Sequence, residues 1–497
     1  MTSARRNLFD RLIAANTDIG TGAASAKALP PPDAVGLLLG RATYGPREEE
    51  VARARQIGYD AWLEEQLAYE SIDDRALEAQ IAANLPTVAM TNGQILDQVR
   101  ISGRQNQAVE ELRGAITLRQ IFSPRQLYEQ MVEFWGNHFA MFHVDGVMRY
   151  FKTVDDREVV RRHALGKFSD LLRASTKSPA MLYSLDNYTN IVGGPNENYA
   201  RELMELHTLG IGGGYTEDDV KEVARCFTGW SITAFGRGAS DVNYTFNVPQ
   251  HDFGPKRVLG KDIPPGQGER DGELVIDALL AHPSTARYLS TKLVRRFVSD
   301  APPASLVDAM AATYTQSGGD IRSMLRTLFR SAEFKASADT KFKRPAEYVM
   351  SVLRVTAPVL SGQYVRIVSE QLFALGQLPH MWPTPDGYPD VAGHWTNTSA
   401  MLSRWNYGFA VAENTYAATI RIDMPALIGN ARSADQLVDR LAQRLLRRTL
   451  LASDRDALVS YAAAGMLAHR PLREPALTER ARGLVGLMLG SPYFQYR

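Results

Sequence analysis

Apolar residues recur along this chain mostly at intervals of three and four, the spacing of one helix face, and they seldom alternate. From Asp33 the positions Val35, Leu37, Leu38 and Leu39 predict a helix that stops near Gly45-Pro46. Residues 47–71 read as helix, glycine break, helix, with Val51, Ala54 and Ile57 on one apolar face and Trp62, Leu63 and Leu67 on the next. Residues 73–130 continue helical. Ser123 as cap and Pro124 at the first helical position then open a helix over 125–139, apolar at Leu127, Met131, Phe134, Trp135 and Phe139. One or two helices follow over 155–187. Further helical periodicity marks 272–280, 284–298, 303–317, 321–330, 344–357 and 399–416, and about three more helices fill 424–497.

Two stretches break the pattern. Residues 231–268 carry Gly236, Gly238, Pro249, Gly254, Pro264 and Pro265, and predict a long irregular excursion with one small hairpin around 243–248. Residues 378–395 form a second loop, rich in proline and aromatics. The fold class is therefore mainly α: a multi-helical globular unit with long irregular Gly/Pro/aromatic loops and a small β-hairpin. Three segments are expected. Residues 1–30 form an N-terminal tail with a weak helix over 7–15, 31–420 a helical core domain, and 421–497 a C-terminal helical segment packed on it.

Composition narrows the function classes. A net charge of +1 over 497 residues leaves no excess of cations to neutralise a phosphate backbone, so nucleic acid is not an expected partner. No window approaches the roughly 20 apolar residues of a membrane span. The single cysteine, Cys226, permits no intrachain disulfide and no cysteine cage for a metal, and its spacing from Val223 and Phe227 marks a buried structural thiol. The N-terminal residues lack the apolar core of a signal peptide. A cytoplasmic location is the expectation, or a periplasmic or secreted one if a leader has been removed.

Candidate chemistry gathers in residues 193–230. A helix starting at Gly194-Pro195 and running through Leu206 buries Tyr199, Leu203 and Leu206, and sets Asn198, Glu202 and Glu205 on a neighbouring face. Two carboxylates one turn apart can supply a general acid beside an ionised partner. They can equally be surface groups paired with Arg201, which is four residues from both Glu197 and Glu205. Gly210, Gly212, Gly213 and Gly214 follow, permitting left-handed backbone and close approach. No Lys-Ser/Thr follows them, so this is not a phosphate loop. Thr216 and Asp219 form a capping box for a helix over 217–227, with Glu222 on its polar side. His138, Glu205 and His207 offer metal-ligand types, but Glu205 and His207 diverge on a continuous helix. There is no HExxH, so no metal and no cofactor is assigned.

Several long motifs resemble a bacterial family known as domain of unknown function eighteen hundred. They are FWGNHFA, NENYARELMELHTLGIGGGYTEDDVKEVARCFTGW, HDFGPKRVLGK, HPSTARYLSTKLVRRFVSDAPP, GGDIRSMLRTLFRSAEF and PDGYPDVAGHWTNTSAMLSRWN, spread over residues 37–407. Family members often open with His-Leu-Leu ahead of the RATFG-like turn. Here Gly36 precedes Leu37-Leu38 and the turn is RATYG, so any role of that histidine is absent or moved. Many relatives carry export signals. Members are often encoded beside a sulfatase-like or phosphatase-like protein, which implies a shared pathway or complex.

The leading expectation is a hydrolase acting on a glycan. A glutamate near a helix end, followed by a Gly-Tyr-Thr turn, is loosely similar to lysozyme-type glycosidases. Glu202 or Glu205 would be the acid and Asp219 or Glu222 its partner. Substrate contacts are expected from His138, Asn198, Arg201, His207, Tyr215, Trp230, His251, Asp252, Trp382 and Trp395, with Tyr244 and Tyr388 as further aromatic platforms. Two alternatives stand beside it: a non-catalytic or metal-binding partner of the companion protein, and a metal-dependent oxidoreductase using His138, Glu205 and His207.

Overall fold

Helices dominate because the chain supplies both the apolar stripe and the side chains that end it. Asp33 Oδ1 accepts from the Gly36 N–H at 2.6 Å and opens the helix Ala34–Ala42. Asp320 accepts from the Ser323 N–H at 2.7 Å and opens Ile321–Arg330, which buries Ile321, Met324, Leu325, Leu328 and Phe329 along one side. Each such cap contributes about 1 kcal/mol. Gly58, at φ 89°, separates Glu48–Ile57 from Tyr59–Leu67 as the sequence predicts.

The computed structural model describes residues 29–142, 146–233 and 241–497. The helix expected at 7–15, and Gly236 and Gly238, lie outside the described residues. Among those described, no helix is long and apolar enough to cross a membrane.

One boundary differs from expectation. The helix beginning after Ser123-Pro124 runs Gln126–His138, and Pro124 lies outside it. Ser123 does accept from the Arg125 N–H at 3.1 Å, but its hydroxyl donates to buried Asp74 at 2.6 Å and the Pro124 carbonyl is taken by Gln66 at 3.1 Å. These tertiary bonds hold the dipeptide as a turn.

Strands form three two-stranded antiparallel sheets among the described residues. Trp230–Ile232 pairs with Tyr244–Phe246, Trp230 lying opposite Phe246, and this is the expected hairpin. Lys256–Val258 with Lys261–Ile263, and Val359–Leu360 with Ile420–Arg421, were not expected; strands of two or three residues are too short to show an alternating pattern.

Buried apolar side chains fall into two main clusters. One draws on residues from Leu37 to Phe334 and includes the fully buried Cys226, whose thiol is pushed up by burial. The other joins Tyr44 and Ile121 to residues between Ala346 and Phe494. Between the clusters lies a buried ion network. Glu347, 2% exposed, accepts from the Arg497 guanidinium at 2.6 Å and from the Arg344 N–H at 2.8 Å, and pairs with Arg296 at 3.0 Å. Glu133 receives Arg296 at 2.7 Å and Arg344 at 2.8 Å. Burial acts to raise the Glu347 carboxyl, but Arg497 and Arg344 outweigh it and hold it below its ordinary value.

Removing one partner from such a network leaves cations buried without a counter-charge. Glu347→Gln is expected to lower stability by about 3–5 kcal/mol at neutral pH, read by chemical denaturation. Because the folded carboxyl is depressed, the wild-type advantage is present above the ordinary carboxyl range and shrinks as pH falls through the folded value. A loss under 1 kcal/mol would show that the network does not hold the two clusters together.

Candidate functional site

The stretch 193–230 folds as two helices joined by the glycine turn. Asn196 caps the first by accepting from the Asn198 N–H, and Tyr199, Ala200, Leu203 and Met204 enter the core. The α-helix Glu197–Glu202 does not stop at Leu206. It widens into a π turn over Leu203–Thr208, in which the Leu209 N–H reaches the Met204 carbonyl at 2.7 Å. Such turns are rare and concentrate at functional sites. The extra residue swings His207 into the interior and leaves Glu202 and Glu205 half-buried at the edge. Carbonyls at the end of this helix find partners on other helices: Leu206 accepts from the Tyr288 hydroxyl at 3.0 Å and His207 from His138 Nε2 at 3.1 Å.

Those two bonds orient the adjoining cleft. Its volume is about 250 Å³, and its lining includes His138, Tyr288, Lys292, Arg295, Asp386 and Asp390. With His138 Nε2–H donating to a carbonyl, Nδ1 is the acceptor, and the Lys292 ammonium lies 2.9 Å from it. Burial, then the charge of Lys292 and the neighbouring His207, holds His138 well below its ordinary value, so the ring is neutral. Burial and Lys292 hold His207 down to about 3. Lys292 itself is held down to about 8, by burial first and by Arg295, against the opposing pull of Asp390 and Asp386.

Asp386 comes from the aromatic loop 378–395. That loop is latched by Asn137, which donates to the Tyr388 carbonyl at 2.9 Å and accepts from its N–H at 2.7 Å. Gly387, at φ 77°, is required there, because a Cβ would sit 2.2 Å from the Asn137 carbonyl oxygen. Within the loop Asp386 accepts from the Trp382 indole at 2.9 Å and from the Thr384 hydroxyl at 2.5 Å. Its charge reaches across the cleft. Glu202 is raised above its ordinary value by burial, then by Glu205, with Asp386 adding to both and Arg201 opposing. Tyr288 is pushed up to about 12 by burial, with Glu205 and Asp386 adding to it and Arg295 opposing. Glu202, Glu205, Tyr288, Lys292 and Asp386, from three separate elements, thus act on one another.

The remaining predicted residues are placed elsewhere or do other work. Arg201 forks to Glu217 at 2.7 and 2.8 Å and reaches Glu197 at 3.3 Å, with no bond to Glu205. Asn198 is exposed and donates to the Leu185 carbonyl at 3.3 Å. Tyr215 donates to Glu205 at 3.3 Å, which keeps it at the edge of the site. Asp219 caps its helix through Thr216 and accepts from the Leu259 N–H at 2.7 Å. Burial acts to raise its carboxyl, but these hydrogen bonds prevail and hold it low. Glu222 binds Arg225 at 2.9 Å and the Arg257 N–H at 3.1 Å, tying the helix to the second hairpin. Asp219 and Glu222 therefore serve architecture.

Trp230 is fully buried against Gly272, so no ring face is left for a sugar. Tyr244, half-buried, packs edge-on against it and donates to Glu269 at 3.0 Å. His251 is buried between the Thr228 carbonyl at 2.7 Å and Asp271 at 3.0 Å, and Asp252 pairs with Arg225 at 2.7 Å. Tyr388 and Trp395 are buried within the aromatic loop, whereas Trp382 is half-buried beside Asp386. His138 sits in the cleft with both ring nitrogens engaged. No group of three or more histidine, cysteine or carboxylate side chains able to hold a metal is found among the described residues, so the oxidoreductase reading draws no support from this geometry.

Tyr288, Lys292, Arg295 and Asp386 were not foreseen. The first three lie at i, i+4 and i+7 on Pro283–Phe297, a polar stripe that reads as a solvent face unless the 378–395 loop is known to fold over it.

Fold and site define a mainly helical protein with a mixed acidic and basic cleft framed by an aromatic loop. The chain belongs to the family described as protein of unknown function (DUF1800), whose model matches residues 37–496. The match runs beyond Tyr407, where the recognised motifs end, and takes in the C-terminal helices. No curated protein and no solved structure matches the chain.

The glycine turn offers a test of how the site is built. Gly210, at φ 82°, would place a Cβ 2.7 Å from the Tyr288 ring, whereas Gly212, at φ 70°, has open space around it. Gly210→Ala is expected to cost about 2–4 kcal/mol, backbone strain plus overpacking. Gly212→Ala should cost about 1 kcal/mol of strain alone. Equal losses in denaturant titrations would show that the turn does not position Tyr288.

Proposed function

We propose that the protein is a hydrolase acting on a glycan, with Glu202 as general acid and Asp386 as its carboxylate partner. The observation that carries this reading is the half-buried Glu202 carboxyl, held above its ordinary value by burial, Glu205 and the cleft residue Asp386. Glycosidic cleavage needs a proton delivered to the leaving oxygen and a second carboxylate that attacks the anomeric carbon or activates water. In this reading Glu202 keeps its proton above the ordinary carboxyl range and donates it. Asp386, the acceptor of two hydrogen bonds from its own loop, takes the second role. Glu205 positions the acid by pressing like charge on it, and half-buried Trp382 offers a ring for stacking against a sugar. Asp386 thereby takes the role expected above of Asp219 or Glu222.

A panel of polysaccharides, assayed for new reducing ends with wild type, Glu202→Gln and Asp386→Asn, tests the reading. Each variant is expected to lose roughly 10²- to 10⁴-fold in rate with an unchanged melting temperature. The pH profile carries a sign. Glu202 must be protonated and its pKa is raised, so activity persists above the ordinary carboxyl range and is lost as pH rises through that pKa. Unchanged hydrolysis in Glu202→Gln removes the proposed acid. The alternative reading, a partner protein working with a sulfatase-like or phosphatase-like companion, predicts no turnover of any member of the panel by wild type.

A further inference from the structure

Two cations in the cleft, Lys292 and Arg295, have no ion-pair partner among the described residues. Arg296, Arg344, Arg354, Arg404 and Lys341, all buried, are each bonded to at least one carboxylate, side-chain or carbonyl oxygen. Lys292 and Arg295 are not. Among the described residues the one hydrogen-bonding partner of Lys292 is the neutral His138 ring, and its ammonium lies over the Tyr288 ring at 5.4 Å. Arg295 makes no hydrogen bond or ion pair among the described residues, and its Nε is buried without a partner. The carboxylates nearby are committed elsewhere. Asp390 is bound by Lys341 at 3.3 Å and flanked by Arg344 and Arg296, and Asp386 is held by Trp382 and Thr384.

Leaving cations half-buried and unpaired costs free energy unless a ligand supplies the anion. Lys292 and Arg295 are one turn apart on the same helix face and both line the cleft, an arrangement that suits an oxyanion bridged by an ammonium and a guanidinium. The cleft also contains Tyr288 and Asp386, and the charge of Asp386 acts on Glu202.

We propose that Lys292 and Arg295 form a subsite for an oxyanion, a carboxylate or a sulfate ester, carried on a sugar ring of the substrate. This rests on the glycan-hydrolase reading and narrows it to acidic glycans. Specificity arises from both signs of charge. A neutral sugar leaves the two cations unsatisfied, whereas an anionic ring placed beside Asp386 instead of beside Lys292 meets like charge.

Binding, measured without turnover, separates this proposal from the one it rests on. Calorimetric titrations in a Glu202→Gln background would use oligogalacturonate, a carrageenan oligosaccharide and a neutral cello-oligosaccharide. Both or one of the anionic probes should bind more tightly than the neutral one, and the preferred probe identifies the group as carboxylate or sulfate ester. Arg295→Met, which breaks no bond within the protein, should weaken anionic binding roughly 10- to 100-fold and leave the melting temperature unchanged. Lys292→Met should do the same, and Lys292→Arg should restore part of the affinity. Anionic binding that depends on these two residues, in a protein whose wild type hydrolyses nothing, would retain the subsite and discard the hydrolase. Equal affinity for neutral and anionic probes, no binding of either anionic probe, or indifference to Arg295→Met would overturn the subsite.

Discussion

The constraint on which the rest of the molecule depends is the burial of arginine between two apolar clusters. Arg296 and Arg344 are essentially inaccessible, and the carboxylates that neutralise them, Glu133 and Glu347, come from other parts of the chain. Desolvated charges tolerate little misplacement, since their attraction offsets the loss of water only at hydrogen-bonding distance. Apolar contact alone would let these helices slide by a fraction of a turn. The ion network admits one register for Gln126–His138, Pro283–Phe297 and Pro345–Thr356 together.

That register builds the cleft. On Gln126–His138, Glu133 enters the network, and Asn137, four residues later, latches the aromatic loop beside His138. On Pro283–Phe297, Arg296 points into the network while Arg295, one residue and about 100° away, faces the cleft with Lys292 and Tyr288. Asp390 closes the circuit from the loop side by approaching Arg344 and Lys341. Each helix therefore carries a satisfied charge on one side and a cleft group on the other, so site geometry and stability are coupled.

Helix content, the glycine break at Gly58, the first hairpin, the capping box at Thr216 and the burial of Cys226 were legible because they depend on local spacing. The candidate site was legible only in its first half. Glu202 and Glu205 stand out as acids at helical spacing. Their surroundings are set by a π turn, which no local pattern announces, and by a loop nearly two hundred residues later in the chain. Trp230 misleads for the opposite reason. An aromatic at the end of a motif looks like a platform, yet its position opposite Gly272 makes it core. Lys292 and Arg295 look like an ordinary solvated face because sequence cannot show what covers a polar stripe.

The surroundings of the two glutamates differ in a way that separation along the helix does not reveal. Glu205 accepts a hydrogen bond from Tyr215. Glu202 has no hydrogen-bond donor among the described residues, and it meets burial, Glu205 and Asp386 together. Two acids of the same type, one turn apart, thus meet different surroundings, and the proposed mechanism assigns the proton to the one without a donor. Asp386 enters this arrangement only because Asn137 and Gly387 hold its loop in place. The upward shift of Glu202 consequently draws on the latch as well as on the helix that bears it.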